Sequence, residues 1–321
     1  MVCAKRSVVL IMASKQDIHA ASVAFAIRRK YPEHKVFIVD GRDFPSAMSL
    51  SIRDGGWTLG TSEATIHSSE VSSIWMRRPM APVVDPLVVD EAARSFAFKE
   101  CVHTFDFLSM SREYKIVNRV ENQFLANRKP YQLSIARQCG FSIPEYNVTN
   151  DPAYIAELLD HQPEGSFIFK TLSAPVHTFG ETRSLLNSHR MYAESLRIAP
   201  AIFQKKIDRK KEIRVTVIGS RIFSHEIIIN NEVVKSLPDW RLDVTAESKE
   251  TILADTLLEK IRLFMRTMGL YYGAIDLIES NDGESYFLEV NPQGQFLFNE
   301  IDTEAPMSDA FADLLVDADP G

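Results

Sequence analysis

Two kinds of hydrophobic pattern alternate at the start of this chain. Ser7-Val-Val-Leu-Ile-Met-Ala13 and Val36-Phe-Ile-Val-Asp40 are short, nearly unbroken apolar runs, the pattern of strands buried on both faces. Residues 17–30 between them have helical spacing that stops near Pro32. This order predicts a parallel sheet with helices on its faces. Ile74-Trp-Met-Arg-Arg-Pro79 predicts another strand, and residues 90–108 a helix that closes a first unit, 1–111. In a second unit, 112–200, helices are predicted over 127–139, ended by Gly140, and over 152–159, followed by the strand Ser166-Phe-Ile-Phe-Lys170. The third unit, 201–321, is mostly strand (201–207, 212–218, 221–229, 271–279 and 285–291) with a helix over 251–268. Gly219-Ser220 between two alternating runs is a two-residue hairpin turn. The fold class is α/β (α+β).

At 321 residues, with 45% apolar and 25% charged, the chain has an ordinary globular composition and the length of two or three packed units. Its formal charge of −7 gives no general attraction to nucleic acid. The apolar run at 8–13 is too short to cross a bilayer and lacks a signal-peptide cleavage pattern, so no membrane partner is expected. Cys3, Cys101 and Cys139 are scattered without metal-ligand spacing and fit a reducing, cytoplasmic setting. No Ser-His-Asp or Cys-His set stands out; His103, His161, His177, His189 and His225 read as surface or capping residues.

The most informative segment is Ala274-Ile-Asp-Leu-Ile-Glu279, a turn, then Tyr286-Phe-Leu-Glu-Val-Asn291. If Asp282-Gly283 is a two-residue loop, Asp276 falls opposite Glu289, and strand alternation puts Asp276, Glu289 and Asn291 on one face. Leu277, Leu288 and Val290 then point into the core. Facing carboxylates repel, and a divalent cation removes that conflict. Magnesium takes hard oxygen ligands, commonly one or two carboxylates plus substrate phosphates. An exposed polar hairpin face is the competing reading, but it does not explain acidic groups flanked by core residues on both strands.

Several basic residues could face phosphates. Lys170 ends the run Phe167-Ile-Phe169, ahead of a loop, 171–180, that could act as a lid, and Lys129 opens the middle helix. Each lysine alone reads first as a solvated surface charge, and its value as a site residue comes only from the company of the others. Gln204 sits at the charged end of an apolar strand whose backbone could meet an adenine edge. Glu212 and Arg214 alternate onto one face. Arg241, in Asp239-Trp-Arg241, could reach a phosphoryl group through its forked donors or be an ordinary salt-bridged arginine.

In order, Lys129, Lys170, Phe203-Gln-Lys-Lys-Ile207, Glu212-Ile-Arg214, Asp276 and Glu289-Val-Asn291 resemble the ATP-grasp superfamily over the last two-thirds of the chain. Trp75-Met-Arg-Arg-Pro79, Lys170-Thr-Leu-Ser173, Asp239-Trp-Arg241 and Glu289-Val-Asn-Pro-Gln-Gly-Gln295 resemble, more narrowly, the microviridin-type (graspetide-forming) peptide ligases. The resemblance implies an ATP-grasp fold with a pre-ATP-grasp α/β domain at 1–111, a central subdomain at 112–200 and a metal-bearing subdomain at 201–321. It implies ATP and Mg2+ as cofactors, acyl-phosphate activation of peptide carboxylates, and ester or amide crosslinks in a ribosomal precursor peptide. Lys129 and Lys170 would hold ATP phosphates. Gln204 and the Lys206–Ile207 backbone would hold adenine, and Glu212 would join the nucleotide contacts. Asp276, Glu289 and Asn291 would bind magnesium, while Arg214 and Arg241 steady the acyl phosphate. A homodimer is implied, and a leader-peptide dock on the hairpin at 209–230, with Phe223 and His225 on one face. The sequence departs from the superfamily in having one glycine over 171–180 and Lys205 after Gln204.

Two other readings stay open. An ATP-grasp ligase could act on small amino acids or a protein tail, and a nucleotide-binding regulator could share the fold without catalysis. A dinucleotide-binding enzyme does not fit, because Ala13-Ser-Lys-Gln-Asp17 lacks the glycine turn that lets backbone approach a pyrophosphate.

Overall fold

The computed structural model describes residues 6–173 and 180–317. Its opening is the predicted one: β1 (Val8–Met12), buried at every residue, α1 (Ile18–Lys30) and β2 (Lys35–Val39). Asp17 caps α1 by accepting the Ala20 N–H, one of the donors that a helix start leaves open. A small antiparallel sheet follows, β3 (Ser49–Arg53), β4 (Gly56–Gly60) and β5 (Thr65–His67). Its strands are short and mostly polar, which is why no apolar pattern announces them. Then come β6 (Val71–Trp75), α2 (Glu91–Asp106) and β7 (Lys115–Val117), completing a parallel sheet of order β2-β1-β6-β7. β6 lies earlier than the sequence predicts because Ser72 and Ser73 hide its apolar character. Both are buried, bonding the Val8 and Leu315 carbonyls. Met76, Arg77 and Arg78 therefore leave the sheet at its carboxyl end, where α/β sheets present their ligand-facing residues.

The middle of the chain comprises α3 (Val120–Ala126), α4 (Lys129–Gln138), β8 (Tyr146–Thr149), α5 (Pro152–His161), β9 (Phe167–Lys170), β10 (Arg183–Ser184) and β11 (Ala201–Lys205). The four strands form an antiparallel sheet, β10-β9-β11-β8, packed through Phe167 and Phe203 on Ile155, Leu158, Leu185 and Leu196. Of the candidate lid, residues 174–179, with His177, lie outside the described residues. His189 is a capping residue as expected, accepting the Leu186 N–H (2.9 Å).

The last part holds β12 (Arg209–Ile218), β13 (Arg221–Ile228), α6 (Glu232–Lys235), β14 (Glu247–Glu250), α7 (Asp255–Met268), β15 (Tyr272–Ser280), β16 (Ser285–Asn291), α8 (Leu297–Thr303) and α9 (Met307–Val316). The sheet order is β14-β13-β12-β15-β16. Ile218 pairs with Arg221 across the predicted Gly219-Ser220 turn. This hairpin is not a projecting ribbon, however: β12 is flanked by β13 and β15. Phe223 packs against a buried cluster, and His225 is buried with Nε2 3.3 Å from Thr303 Oγ1, so it is no surface residue. One sheet face carries Ile275, Leu277, Phe287 and Val290 against Leu133 of α4 and Phe264 of α7.

α9 then returns to the first unit. Phe311 packs at tilted angles against Trp75 (4.5 Å), Tyr272 (4.7 Å) and Phe296 (5.1 Å) within a core shared with Val9, Ile11 and Val23. Arg29 of α1 pairs with Asp309, and Lys30, Tyr31 and Arg221 all meet Asp313. Pairing extends past the expected boundaries: β7 belongs to the first sheet, and β11 to the second. We propose a three-unit division that follows the sheets, with boundaries near 119 and 207.

Candidate nucleotide and metal site

The acidic hairpin reaches its predicted pairing by an unpredicted route. Asp276 lies opposite Glu289 and Ala274 opposite Asn291, which puts Asp276, Glu289 and Asn291 on one face. The turn is a three-residue loop, 281–283, closed by the Ser280 N–H on the Glu284 carbonyl (2.9 Å), with Gly283 at φ 86°. That loop offsets the ladder by one residue, pairing Leu277 with Phe287, and a bulge next to Asp276 restores it. The extra residue is Leu288. Phe287 takes the core position that alternation assigned to Leu288, and Leu288 lines the cleft.

Both carboxylates meet cations. Arg214, opposite Asp276 on β12, donates from Nη1 to Asp276 Oδ1 (2.7 Å). Lys129, at the start of α4, donates to Glu289, and Lys170, ending β9, lies 3.6 Å from the same carboxylate. Burial would raise the Glu289 pKa, but Lys170 and Lys129 outweigh it and hold the carboxyl well below its usual range. At Lys170 burial prevails over Glu289, and the ammonium pKa is lowered. Arg241 donates from Nε (2.8 Å) and Nη2 (2.7 Å) to the two carboxylate oxygens of Asp239. Asp239 is itself buried and accepts the Thr182 N–H (3.0 Å). Four cationic side chains from four elements thus surround two facing carboxylates.

Beside them is a cavity of about 430 Å³ lined by Ile168, Lys170, Gln204, Lys206, Ile207, Glu212 and Leu288, among others, in the size range of small-molecule sites. It gathers every residue expected to hold the nucleotide except Lys129. Gln204 is 1% exposed, and neither its Oε1 nor its Nε2 has a partner among the described residues. A buried amide left unpaired is costly, so it suits a ligand that offers a donor and an acceptor, as an adenine edge does. Glu212 accepts from Arg209 (2.7 Å), but burial pushes its pKa up to about 7. The Lys206 N–H is engaged by the Ser166 carbonyl (2.8 Å). A larger cavity, about 920 Å³, lies elsewhere, around Lys115, Arg221 and Leu314, and holds none of the expected site residues.

The metal fit rests on donor chemistry. Among the described residues no three His, Cys, Asp or Glu side chains form a metal-binding group. The hairpin offers two carboxylates and one amide, and Asn291 Oδ1 accepts the Gln293 N–H (3.0 Å). Such a set suits magnesium, which completes its shell with phosphate and water.

Gln204→Met is expected to stabilise the free protein by about 1 kcal/mol, because it removes two unpaired buried polar atoms, yet to weaken ATP binding roughly 10-fold. Denaturant melts without nucleotide and calorimetric ATP titration check both signs. A core role alone would not oppose them.

One set of contacts has no hydrophobic pattern to signal it. The loop after β16 is gripped along five consecutive residues, four of them by the first unit and Gln295 by Arg214. Arg77, 1% exposed, donates to the Gln293 carbonyl and to the Gly294 carbonyl (2.9 Å), where Tyr272 Oη also donates (2.7 Å). Arg214 Nη2 donates to the Gln295 carbonyl (3.2 Å). His19 Nε2 accepts the Phe296 N–H (3.2 Å) and, more loosely, that of Leu297 (3.4 Å). Gly294 is required there, since a Cβ would come within 2.5 Å of the Ala274 Cβ. Burial and then Arg77, against Asp17, lower the His19 pKa from 6.5 to about 4. The unfolded chain therefore binds the proton first, and folding stability falls as pH drops from 6.5 towards 4, on the order of 3 kcal/mol from this group. Denaturation free energies across that window should show the slope, and His19→Gln should flatten it.

The comparisons with known proteins agree with this geometry. Neither a protein-family model nor a curated protein matches the chain. Solved structures do. The macrocyclase MdnC of Microcystis aeruginosa, crystallised with precursor peptide MdnA, is 26% identical over 97% of this chain and 99% of that one, with TM-score 0.84. MdnB of the same organism is 27% identical over 97% and 99%, with TM-score 0.80. The RiPP-associated ATP-grasp ligase of Chryseobacterium gregarium, in complex with ADP and a leader and core peptide, is 26% identical over 98% and 98%, with TM-score 0.85. Fold, site order and whole-chain likeness together give this chain the ATP-grasp fold and make it similar, from end to end, to the microviridin-type ligases.

Proposed function

We propose that this protein is an ATP- and magnesium-dependent ligase acting on a ribosomally made precursor peptide. It activates Asp or Glu side chains as acyl phosphates and closes them into intramolecular ester or amide crosslinks, releasing ADP and phosphate. The observation that carries this reading is the ring of Lys129, Lys170, Arg214 and Arg241 around Asp276 and Glu289, beside a nucleotide-sized cavity. The peptide-bound ligases that match the chain from end to end support it.

We assign Asp276, Glu289 and Asn291 to magnesium, Lys129 and Lys170 to ATP phosphates, Gln204 with the Lys206–Ile207 backbone to adenine, and Glu212 to the nucleotide contacts. Magnesium, when bound, would neutralise charge on the transferring phosphoryl group and align it. The lysines that balance Glu289 here would turn to phosphate on loading. Arg214 and Arg241, each fixed by a carboxylate, carry forked donors suited to an acyl phosphate. The peptide brings the nucleophile. We also propose a cytoplasmic homodimer; no described helix is long and apolar enough to cross a membrane, and light scattering checks the assembly state.

The test is the intact mass of short peptides encoded beside this gene after co-expression. One water should be lost per new bond. An unchanged peptide, with ADP release stimulated by free amino acids, would move the protein to the small-molecule ligases.

A further inference from the structure

We propose that Arg77 is a positioning residue: it ties the first unit to the loop that orients Arg214, and so sets the geometry of acyl-phosphate formation. This inference rests on the function proposed above. Arg77 leaves the carboxyl end of β6 and is buried. Nη1 bonds two successive carbonyls, of Gln293 and Gly294, while Nε lies 3.3 Å from Asp17 Oδ2, the carboxylate that also caps α1. The next carbonyl, of Gln295, is the one that Arg214 Nη2 bonds. Arg214 has two directing contacts, Asp276 Oδ1 and this carbonyl, and its Nε has no partner among the described residues. One of the two constraints on the guanidinium therefore depends on where residues 293–295 sit. Within that stretch, Arg77 and Tyr272 are the side chains that fix the Gly294 carbonyl.

A scaffold contact would not need a charge here. Burying an arginine that has an ion pair to Asp17 but no hydrogen-bond partner for Nε or Nη2 among the described residues is unfavourable compared with a well-packed apolar side chain. A nitrogen with two N–H donors, as Nη1 is, holds two adjacent carbonyls at fixed spacing, which an apolar side chain cannot do. Sub-ångström displacement of a group aimed at the reacting atoms is costly in rate, which is where the benefit of such a clamp would appear.

The test compares Arg77→Lys, Arg77→Met and His19→Ala in the full-length protein. Three readouts are taken: MgADP affinity by calorimetry, steady-state crosslinking of the precursor peptide, and hydrogen exchange of the amides at 293–297. We expect MgADP affinity within about 2-fold of wild type, because none of residues 293–297 lines the cavity and the Gln293 N–H on Asn291 Oδ1 needs no side chain of Arg77. For Arg77→Met we expect kcat to fall about 30- to 100-fold with little change in the peptide KM, as for loss of an interaction made only in the transition state. Arg77→Lys should recover part of it. Exchange at 293–297 should accelerate in both, with β1 and β15 unchanged. His19→Ala, which frees the other end of the loop, should show the same split more weakly. Wild-type kcat per folded molecule in Arg77→Met, or exchange that accelerates uniformly through the protein, would overturn the proposal. If wild-type protein crosslinks no peptide, the function fails instead. The exchange and MgADP arms still decide whether Arg77 holds the loop.

Discussion

Glu289→Gln should lower kcat by about 10³, roughly 4 kcal/mol of transition-state stabilisation, with ATP still bound. The substitution keeps the shape of the side chain and removes its charge. Under the proposed assignment that charge anchors the metal, and in the nucleotide-free protein it balances Lys129 and Lys170. Stability should fall too. The cost should stay below the roughly 3–5 kcal/mol of breaking a fully buried pair, because the two lysine side chains keep 20% and 13% exposure. Pre-steady-state ADP release across a magnesium titration separates the two effects. Wild-type turnover at every magnesium concentration, limiting ones included, would remove Glu289 from the metal site. A kcat that recovers in proportion to magnesium would show that the loss lies in affinity.

Arg241→Ala should cost on the order of 10²–10³ in kcat, the size expected for losing one preorganised donor to developing negative charge. Its guanidinium is already locked in a two-point pair with Asp239, so little reorganisation is needed when the charge forms. Arg241→Lys should recover little, since an ammonium cannot reproduce the fork. Asp239→Asn should produce part of the same loss by leaving Arg241 charged but poorly aimed. A change confined to peptide KM across the three variants would make Arg241 a docking residue.

The sequence carried the strands and helices with strong periodicity, and it carried the hairpin register that makes the acidic face. It did so through a wrong turn. The two-residue loop and the straight ladder were both simplifications, and the three-residue loop and the Leu288 bulge cancel at Asp276. Local pattern sees side-chain alternation but not an inserted residue, which is why Leu288 was placed on the wrong face. The ion-pair partners were legible only as residue types, since Lys129 and Glu289 lie 160 positions apart. β3 to β5 escaped because each is short, with at most two buried apolar residues, too few to repeat a pattern. β6 was displaced because its two buried serines spend their hydroxyls on distant carbonyls. The Arg77 clamp could be read as a motif but not as a contact, because its acceptors are main-chain carbonyls, which every residue has.

The return of α9 to the first unit has a consequence for how the protein is made. Val9, Ile11 and Val23 belong to a core that is closed by Met307, Phe311 and Leu315, near the far end of the chain. While a ribosome is still adding the central strands, that apolar surface has no cover, although the segment bearing it has already emerged. This unit is therefore finished only after the units that follow it, and stalled or truncated chains ending before residue 307 would expose a sticky face for chaperones or for one another.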